Sequence, residues 1–291
     1  LRRRFGKKCF KVPLDGGFTC PNIDGTKGRG GCTYCSLRLH SRGEIAPLRS
    51  QFDAARERLH HKWPDALYIA YFQDFTNTYA PVERLRALYE EALRFPNVVG
   101  MNIATRADAL PDDVVTLLRE MASRTALTVE LGLQSVHDST ARRIHRGHTW
   151  EEFLEGYRRL EGIDVCVHLI NGLPGEDKEM MLESVRAVAA LHPRSVKLHL
   201  LHLLRGTQMA AEYERGEFEL LTLEQYADIV VSQLELLPED VVIARLTGDG
   251  LADELIGPLW SRKKFVVMNE IDKLMVARNT WQGRLAEKGR K

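Results

Sequence analysis

Three of the five cysteines in this chain lie within sixteen residues, in the segment "CPNIDGTKGRGGCTYC" (20–35). Eleven residues separate Cys20 from Cys32, and two separate Cys32 from Cys35. Three protein thiolates can bind three irons of a cubane [4Fe–4S] cluster and leave the fourth iron open to an outside ligand. A glycine-rich loop suits this use, because its backbone can fold closely around a cluster and direct N–H groups at the sulfurs. The segment therefore predicts a [4Fe–4S] cluster bound by Cys20, Cys32 and Cys35.

A structural zinc site is the alternative that this spacing leaves open. Tetrahedral zinc needs four ligands, and His40 follows Cys35 in a C-x11-C-x2-C-x4-H arrangement. That interpretation predicts another class of protein, a zinc-stabilised binding module. The other two cysteines, Cys9 and Cys166, are far from the cluster, and an odd total is not typical of a secreted disulfide scaffold. We therefore expect a cytoplasmic, reducing location, where clustered thiols usually bind metal.

The composition places few limits on the partner. Forty-one basic and forty acidic residues give a net charge of +1, which neither demands nor excludes a nucleic-acid partner. Basic residues are concentrated at the two ends, in "LRRRFGKK" and "EKGRK". No apolar run approaches the roughly 18–20 residues needed to cross a bilayer, and no signal-peptide pattern opens the sequence. We expect no membrane partner, and the sequence does not indicate an oligomeric state.

Short apolar strands alternate with amphipathic helices along most of the chain. The predicted strands are 9–14, 66–72, 98–104, 126–133, 163–170 and 195–203. The predicted helices are 49–62, 81–94, 111–123, 137–161 in two pieces, 177–191 and 222–236. Successive strands are roughly 30 residues apart, the size of a βα unit, which predicts a parallel sheet with helices outside. Six units are too few for an eight-stranded barrel, so the predicted fold class is α/β, a partial (βα)6 TIM-type barrel.

The predicted organisation is a core with a short C-terminal extension. We assign residues 1–240 to the barrel core, which includes the cluster loop 20–35, and residues 241–291 to an extension packed on the core. Within the extension, "VVIARLTGD" is a candidate for one more strand, and 262–278 is predicted to be a basic helix.

Polar residues cluster where the predicted strands end. The strand ends read "FQDFTNT" (72–78), "ATRAD" (104–108), "GLQS" (132–135), "NGLPGE" (171–176) and "KLHLLH" (197–202). Because the carboxyl ends of parallel strands meet at one edge of a sheet, these segments are expected to form one site there, next to the cysteine loop.

These residues resemble the radical S-adenosylmethionine (SAM) superfamily. The final "CTYC" fits the C-x3-C-x2-C pattern of that superfamily, whereas the first gap here is eleven residues long. The long gap is similar to that of one small family of stand-alone bacterial radical SAM proteins (MnmL/YtqA-like, YhcC-like). The resemblance covers nearly the whole chain, including "YFQ", "LELGLQ", "RGH" and "GLPGE". It implies the partial barrel of the radical SAM core.

The resemblance also implies the cofactors and the chemistry. The open iron would bind the amino and carboxylate groups of SAM, and one electron would cleave the sulfonium to leave a 5′-deoxyadenosyl radical. The family implies tRNA as the substrate, with 5-carboxymethylaminomethyluridine at the wobble position trimmed to 5-aminomethyluridine. An electron donor such as flavodoxin or ferredoxin is expected. A small-molecule or protein substrate, used by the same radical SAM core, is the alternative.

Candidate cofactor residues follow from strand-end position, from residue chemistry and from the resemblance. They are Tyr34, Gln73, Asp74, Thr105, Arg106, Asp108, Glu130, Gln134, Arg146 and Gly172. Arg146 is suited to bind the SAM carboxylate as a bidentate fork, and Glu130, inside an apolar strand, is expected to have a polar partner in the barrel lumen. A structural salt bridge between Arg106 and Asp108 remains an alternative to ligand binding by these two residues. The candidates for the substrate side are His168, Lys197, His199 and His202.

Overall fold

The computed structural model describes residues 2–36, 44–60, 62–248 and 253–286 and arranges them as parallel strands with helices packed outside. The strands are β1 (Cys9–Leu14), β2 (Leu67–Phe72), β3 (Val98–Thr105), β4 (Ala126–Gln134), β5 (Asp164–Asn171), β6 (Ser195–Leu200), β7 (Leu203–Leu204), β8 (Val242–Arg245) and β9 (Leu255–Gly257). The helices are α1 (Arg2–Phe5), α2 (Leu48–His60), α3 (Val82–Leu93), α4 (Asp112–Arg124), α5 (Asp138–Arg143), α6 (Trp150–Arg159), α7 (Lys178–Ala190), α8 (Gln208–Glu214), α9 (Leu223–Leu236) and α10 (Lys264–Ala277).

Seven strands form the main sheet, in the order β1-β2-β3-β4-β5-β6-β8, and each neighbouring pair is parallel. The sheet is curled into a half-barrel, since side chains from β1 and β6 both reach the carboxylate of Glu130 on β4. In a flat sheet β1 and β4 would be about 14 Å apart, beyond the reach of a lysine side chain. The predicted α/β partial barrel is confirmed, with β8 added as a seventh strand.

The helices begin where the sequence supplies capping groups. Thr149 and Glu152 form a reciprocal capping box at the start of α6, and Thr222 and Gln225 form another at the start of α9. Asp177 accepts a hydrogen bond from the backbone of α7. The apolar faces of these helices cover the outside of the sheet, so that the polar side chains of the strands are left to the inside of the barrel.

The last predicted strand, 195–203, is interrupted. β6 ends at Leu200, and the chain then turns so that Leu203 pairs with Gly257 in a separate two-stranded antiparallel sheet of β7 and β9. His202 therefore lies beyond the main sheet. Helix α8, which is only seven residues long, was not predicted.

The C-terminal residues both extend the sheet and pack on the helices. β8 pairs with β6, with Lys197 next to Arg245, although it comes from the part assigned to the extension. α10 packs on α9 and buries Val267 and Ile271. The division at residue 240 stays a prediction. Among the helices that the structure describes, none combines the length and apolarity that a membrane span requires, and the cytoplasmic location also stays a prediction.

Candidate active site

The cysteine loop is fixed to the segment that follows α5. The backbone N–H of Thr33 donates to the carbonyl of Ile144 at 3.0 Å. The side-chain amide of Asn22 donates to the carbonyl of His145 at 2.5 Å and lies 3.5 Å from the sulfur of Cys32. Sequence reasoning missed Asn22, although an amide two residues after the first cysteine is a possible signal for a residue that orients the loop.

Two glycines make room for Asn22. A Cβ on Gly28 would lie 2.4 Å from the side-chain oxygen of Asn22, and a Cβ on Gly147 would lie 2.7 Å from it. Gly147 also has a φ of 76°, a backbone conformation that favours glycine. The glycines of the loop and of "RGH" are therefore needed for the close approach between the two segments.

All three loop cysteines line one cavity of about 400 Å³. A hydrogen bond with Cys35 lowers the pKa of the Cys32 thiol to about 5, and the charge of Arg146 acts in the same direction. The same hydrogen bond raises the pKa of the Cys35 thiol well above its usual value. The pair thus shares one proton at neutral pH and supplies a thiolate, the form that binds metal. Cluster binding would release the remaining protons.

Orphaned polar groups beside the cysteines fit an anionic cofactor. Arg146 is buried, its Nε has no hydrogen-bond partner, and none of the ion pairs among the described residues involves it. The hydroxyl of Ser36, which lines the same cavity, is also without a partner. A buried cation and an unpaired donor beside three thiols suit a thiolate-bound iron–sulfur cluster and the carboxylate of SAM.

A single-metal site does not match the described donors as well. No group of three or more His, Cys, Asp or Glu side chains in the described ranges is placed to hold one metal ion. In a [4Fe–4S] cluster the three thiolates bind three different irons, so they need not converge on one point. The proposed fourth zinc ligand, His40, lies outside the described residues.

Arg106 and Asp108 form the salt bridge that the sequence left open. Two nitrogens of Arg106 lie 2.8 Å from the two oxygens of Asp108, and Arg106 also donates to the carbonyl of Arg146 at 2.8 Å. Burial raises the pKa of Asp108, but the hydrogen bonds and charge of Arg106 outweigh it and hold that pKa well below its ordinary value. The pair supports the backbone that carries Arg146.

The cavity gathers most of the predicted site residues. Those that line it are Cys20, Cys32, Tyr34, Cys35, Gln73, Asp74, Thr105, Arg106, Glu130, Gln134, Arg146, His168, Lys197 and His199. Three predicted residues are not part of its lining. Asp108 lines a neighbouring groove, Gly172 packs against Leu221, and His202 lies beside Gly248. The assignments of individual residues to SAM or substrate stay predictions.

The end of β4 is irregular where it meets the cavity. The register with β5 shifts between Gly132 and Gln134, and Gln134 has a φ of 75°, which is uncommon for a residue with a side chain. Its amide nitrogen lies 2.8 Å from the position of a Cβ on Gly132, and Arg146 donates a hydrogen bond to the carbonyl of Gly132. The bulge therefore brings Gln134 and Arg146 to the same side of the strand.

Deeper in the barrel, one carboxylate is the centre of a polar network that we call the lumen floor. Glu130 is 0% exposed, which confirms the expectation of polar partners in the lumen. Five side chains from five different strands contact its carboxylate: Lys11 at 2.7 Å, Tyr71 at 2.7 Å, Asn102 at 2.6 Å, His168 at 3.0 Å and Lys197. We include His199 and Arg245, which line the same cavity, in the lumen floor.

The ionisation states of the lumen floor follow from burial and from these contacts. Burial raises the pKa of Glu130, but its hydrogen bond with His168 and the nearby charges outweigh burial and hold that pKa well below the ordinary range. Burial lowers the pKa of His168 to about 4, and it lowers that of His199 well below its usual value. Burial also lowers the pKa of Lys197. Near neutral pH, both histidines are thus uncharged.

Comparison with known proteins places this site in a family. Protein YtqA of Bacillus subtilis (strain 168), described as uncharacterized, is 49% identical over 295 residues, which cover 99% of this chain and 91% of YtqA. Protein YhcC of Escherichia coli (strain K12) is 36% identical over 282 residues, 94% of this chain and 90% of YhcC. A tRNA uridine(34) acetyltransferase of Methanocaldococcus jannaschii is 28% identical over 156 residues, 52% of this chain and 28% of that protein.

Solved structures share the fold, and two family models match the sequence. Archaeal Elp3 from Methanocaldococcus infernus has a TM-score of 0.70 at 18% identity, covering 95% of this chain and 64% of that one. Methylornithine synthase (PylB) has a TM-score of 0.57 at 14% identity, covering 98% of this chain and 86% of that one. The model of the radical SAM superfamily matches residues 24–188, and that of the radical SAM C-terminal domain matches residues 193–277. The chain belongs to the radical SAM superfamily, and its cofactors are a [4Fe–4S] cluster and SAM.

Proposed function

We propose that this radical SAM enzyme acts on the wobble uridine of tRNA and converts 5-carboxymethylaminomethyluridine to 5-aminomethyluridine. The observation that carries the proposal is a basic and aromatic surface at the edge of the sheet where the cavity lies. Phe265 is 85% exposed, and Arg262 and Lys263 immediately before it are exposed as well. Exposed aromatic rings beside cations are typical of surfaces that stack on unpaired bases and contact phosphates.

The position of this surface follows from the small second sheet. β9 pairs with β7, which begins three residues after the carboxyl end of β6, and Leu204 of β7 lines the cavity. The 3-10 helix Leu259–Arg262 and then α10 follow directly after β9. Phe265 and its basic neighbours thus lie at the edge of the sheet that carries the cysteine loop.

The basic N-terminal segment lies at the other edge of the sheet. Arg4 pairs with Asp164, the first residue of β5, at 3.1 Å. The ammonium of Lys8 lies 3.4 Å from the ring centroid of Trp63, next to the start of β2. The tRNA proposal therefore depends on the C-terminal basic residues.

One distant relative supports the substrate class. The Methanocaldococcus jannaschii protein that matches half of this chain is named for its action on tRNA uridine 34. The match covers only about half of this chain, so it supports a uridine substrate without defining the group that is modified.

The proposed reaction balances with SAM as the oxidant. The methylene carbon next to the carboxylate loses a hydrogen atom and then an electron, and water hydrolyses the resulting C=N bond. The amine and glyoxylate are released. The substrate gives up two electrons, and SAM takes up two electrons and one proton as it becomes methionine and 5′-deoxyadenosine. A reduced flavodoxin or ferredoxin is the proposed donor of the electron that starts the reaction.

The function is tested with tRNA from a strain that lacks this gene. Reconstituted enzyme, SAM and a one-electron reductant should convert its carboxymethylaminomethyluridine to aminomethyluridine, with 5′-deoxyadenosine and glyoxylate formed in equal amounts. Nucleoside mass spectrometry of the deletion strain should show the carboxymethylaminomethyl form accumulating. An unchanged nucleoside profile, together with 5′-deoxyadenosine formation that tRNA does not stimulate, would favour the alternative of a small-molecule or protein substrate.

The docking surface is tested by charge reversal at the two edges of the sheet. Arg262→Glu with Lys263→Glu should weaken tRNA binding and reduce the slope of log affinity against log salt by about 2, since each lost phosphate contact reduces it by about 1. Arg2→Glu with Lys7→Glu makes the same change of charge at the other edge and should leave the slope near that of the wild type. Equal effects of the two double variants would contradict the proposed surface.

A further inference from the structure

The side-chain amide of Asn22 divides its two N–H groups between a carbonyl and a cluster ligand. Its nitrogen donates to the carbonyl of His145 at 2.5 Å and to the sulfur of Cys32 at 3.5 Å. A carbonyl oxygen only accepts hydrogen bonds, so the nitrogen of this amide, and not its oxygen, must face His145. The orientation that satisfies His145 therefore also directs an N–H group at the sulfur of Cys32.

The backbone on both sides of Cys32 keeps its sulfur beside this amide. The N–H of Gly31 donates to the backbone carbonyl of Asn22 at 2.9 Å, and the N–H of Thr33 donates to the carbonyl of Ile144 at 3.0 Å. Cys32 is thus fixed on one side to Asn22 itself and on the other side to the segment that accepts from the Asn22 amide. A cluster bound to Cys32 has the amide next to its ligand sulfur.

Burial strengthens the contact between the amide and the sulfur. Asn22 is 4% exposed and Cys32 is 5% exposed, so bulk water does not compete for the N–H group. A hydrogen bond inside a protein is electrostatically stronger than the same bond in water. Asn22 also belongs to the turn that begins at the first cysteine, since the N–H of Ile23 donates to the carbonyl of Cys20 at 2.8 Å.

We propose that the side-chain amide of Asn22 raises the reduction potential of the cluster by donating a hydrogen bond to the sulfur of Cys32. Reduction adds one negative charge to the cluster and its thiolates, so an N–H donor at a thiolate stabilises the reduced form more than the oxidised form. Asn22 acts through Cys32 and is therefore a positioning residue. The inference concerns the electron that starts the reaction and does not depend on the identity of the substrate.

The test measures the midpoint potential of the reconstituted cluster by anaerobic titration with EPR detection. Asn22→Leu keeps the shape of the side chain and removes both N–H groups. The equilibrium constant for reduction should fall roughly tenfold, the scale of one hydrogen bond to a charged group. For a one-electron couple this is a potential about 59 mV lower than that of the wild type. A change of less than about twofold in the equilibrium constant would overturn the inference.

Gln233→Met is the matched control for the loss of a buried amide. Gln233 on α9 is 0% exposed, and its amide donates to the side-chain oxygen of Asn171 at 2.8 Å and to the carbonyl of Met181 at 3.2 Å. Neither partner belongs to the cysteine loop, so this variant should keep the wild-type potential. Each protein compared should hold about four irons per chain. An equal fall in potential in both variants would contradict a specific bond from Asn22 to Cys32.

A measurement on the wild-type enzyme keeps the inference testable if Asn22→Leu does not hold a cluster. The protein is produced in an asparagine auxotroph with asparagine that carries 15N only in the side-chain amide, and the reduced cluster is studied by pulsed EPR. A 15N coupling is expected, because the amide of Asn22 is hydrogen-bonded to a cluster ligand. Among the asparagine side chains that the structure describes, that of Asn22 is the one bonded to a cysteine. The absence of a 15N coupling would overturn the inference.

These results separate an effect on the potential from simple support of the loop. If Asn22 only holds the loop to His145, Asn22→Leu should lose stability or iron, the cluster that remains should keep its potential, and the wild-type enzyme should show no 15N coupling. A lower potential in Asn22→Leu, with the wild-type value in Gln233→Met, would support the inference. Both readouts are obtained without tRNA, so they stand or fall separately from the proposed function.

Discussion

Arg146 is the residue whose substitution most directly tests the cofactor site. Its guanidinium is buried beside the cysteine loop, one nitrogen donates to the carbonyl of Gly132, and Nε has no partner. We predict that Arg146→Gln weakens SAM binding. One charge-assisted hydrogen bond to the SAM carboxylate is worth about 1.5–3 kcal/mol, which raises the dissociation constant roughly 10- to 100-fold.

The assay is equilibrium binding of SAM to anaerobically reconstituted enzyme without reductant, so that no cleavage occurs. Iron content is measured first, and both proteins should hold about four irons per chain, because the three cysteine ligands are unchanged. Arg142→Gln is the matched control. Arg142 is exposed on the neighbouring helix α5, and the substitution should leave SAM affinity within about twofold of the wild type.

A structural role for Arg146 would give a different result. If Arg146 only supports the bulge at Gly132, Arg146→Gln should lower the free energy of unfolding and leave SAM affinity of the cluster-loaded protein unchanged. That pattern would refute the assignment of Arg146 to the SAM carboxylate. A weaker SAM affinity at wild-type stability would support it.

Three further predictions concern the ligands and the lumen floor. Cys32→Ala should abolish cluster binding in an iron assay and leave the circular dichroism spectrum unchanged, since Cys32 is not part of the main hydrophobic core, whereas Cys9→Ala should keep its iron. Glu130→Gln should lower the free energy of unfolding in urea by about 3–5 kcal/mol, because the buried ammonium of Lys197 loses its counter-charge. Adding Lys197→Met should recover part of that loss. The pKa of His168 is lowered from 6.5 to about 4, so its contribution to stability is present above pH 6.5 and is lost as the pH falls towards 4. Between pH 7 and pH 5, the free energy of unfolding of His168→Asn should therefore fall by about 1–2 kcal/mol less than that of the wild type. An identical pH dependence of the two proteins would contradict a neutral, buried His168.

The regular part of the fold was predictable because its signals are local. Each of the six predicted strands is a short apolar run between helical patterns, and their spacing is that of βα units. The seventh strand was only a candidate, since β8 is four residues long and two of them, Val242 and Ala244, are exposed. Helix α8 was missed for a related reason, because seven residues are too few for a clear helical period.

The sequence predicted most of the residues that line the candidate site, but not which of them contact one another. Strand-end position was enough to place Gln73, Thr105 and Gln134 in one cavity with the cysteine loop. It could not show that Lys11 reaches across the lumen to Glu130, because that contact depends on how strongly the sheet curls. Asn22 was missed since its partners, Cys32 and His145, are brought together by the loop only in three dimensions.

Strand β4 holds two cations of the cavity at different points along its length. The carbonyl of Gly132 accepts a hydrogen bond from Arg146, and the carboxylate of Glu130 is paired with Lys197. These two positions are two residues apart, or about 7 Å along the strand. Arg146 and Lys197 are therefore each fixed to a different point of one strand. Since neither cation can move to the other point without losing a buried partner, the strand itself sets the distance between the two positive charges.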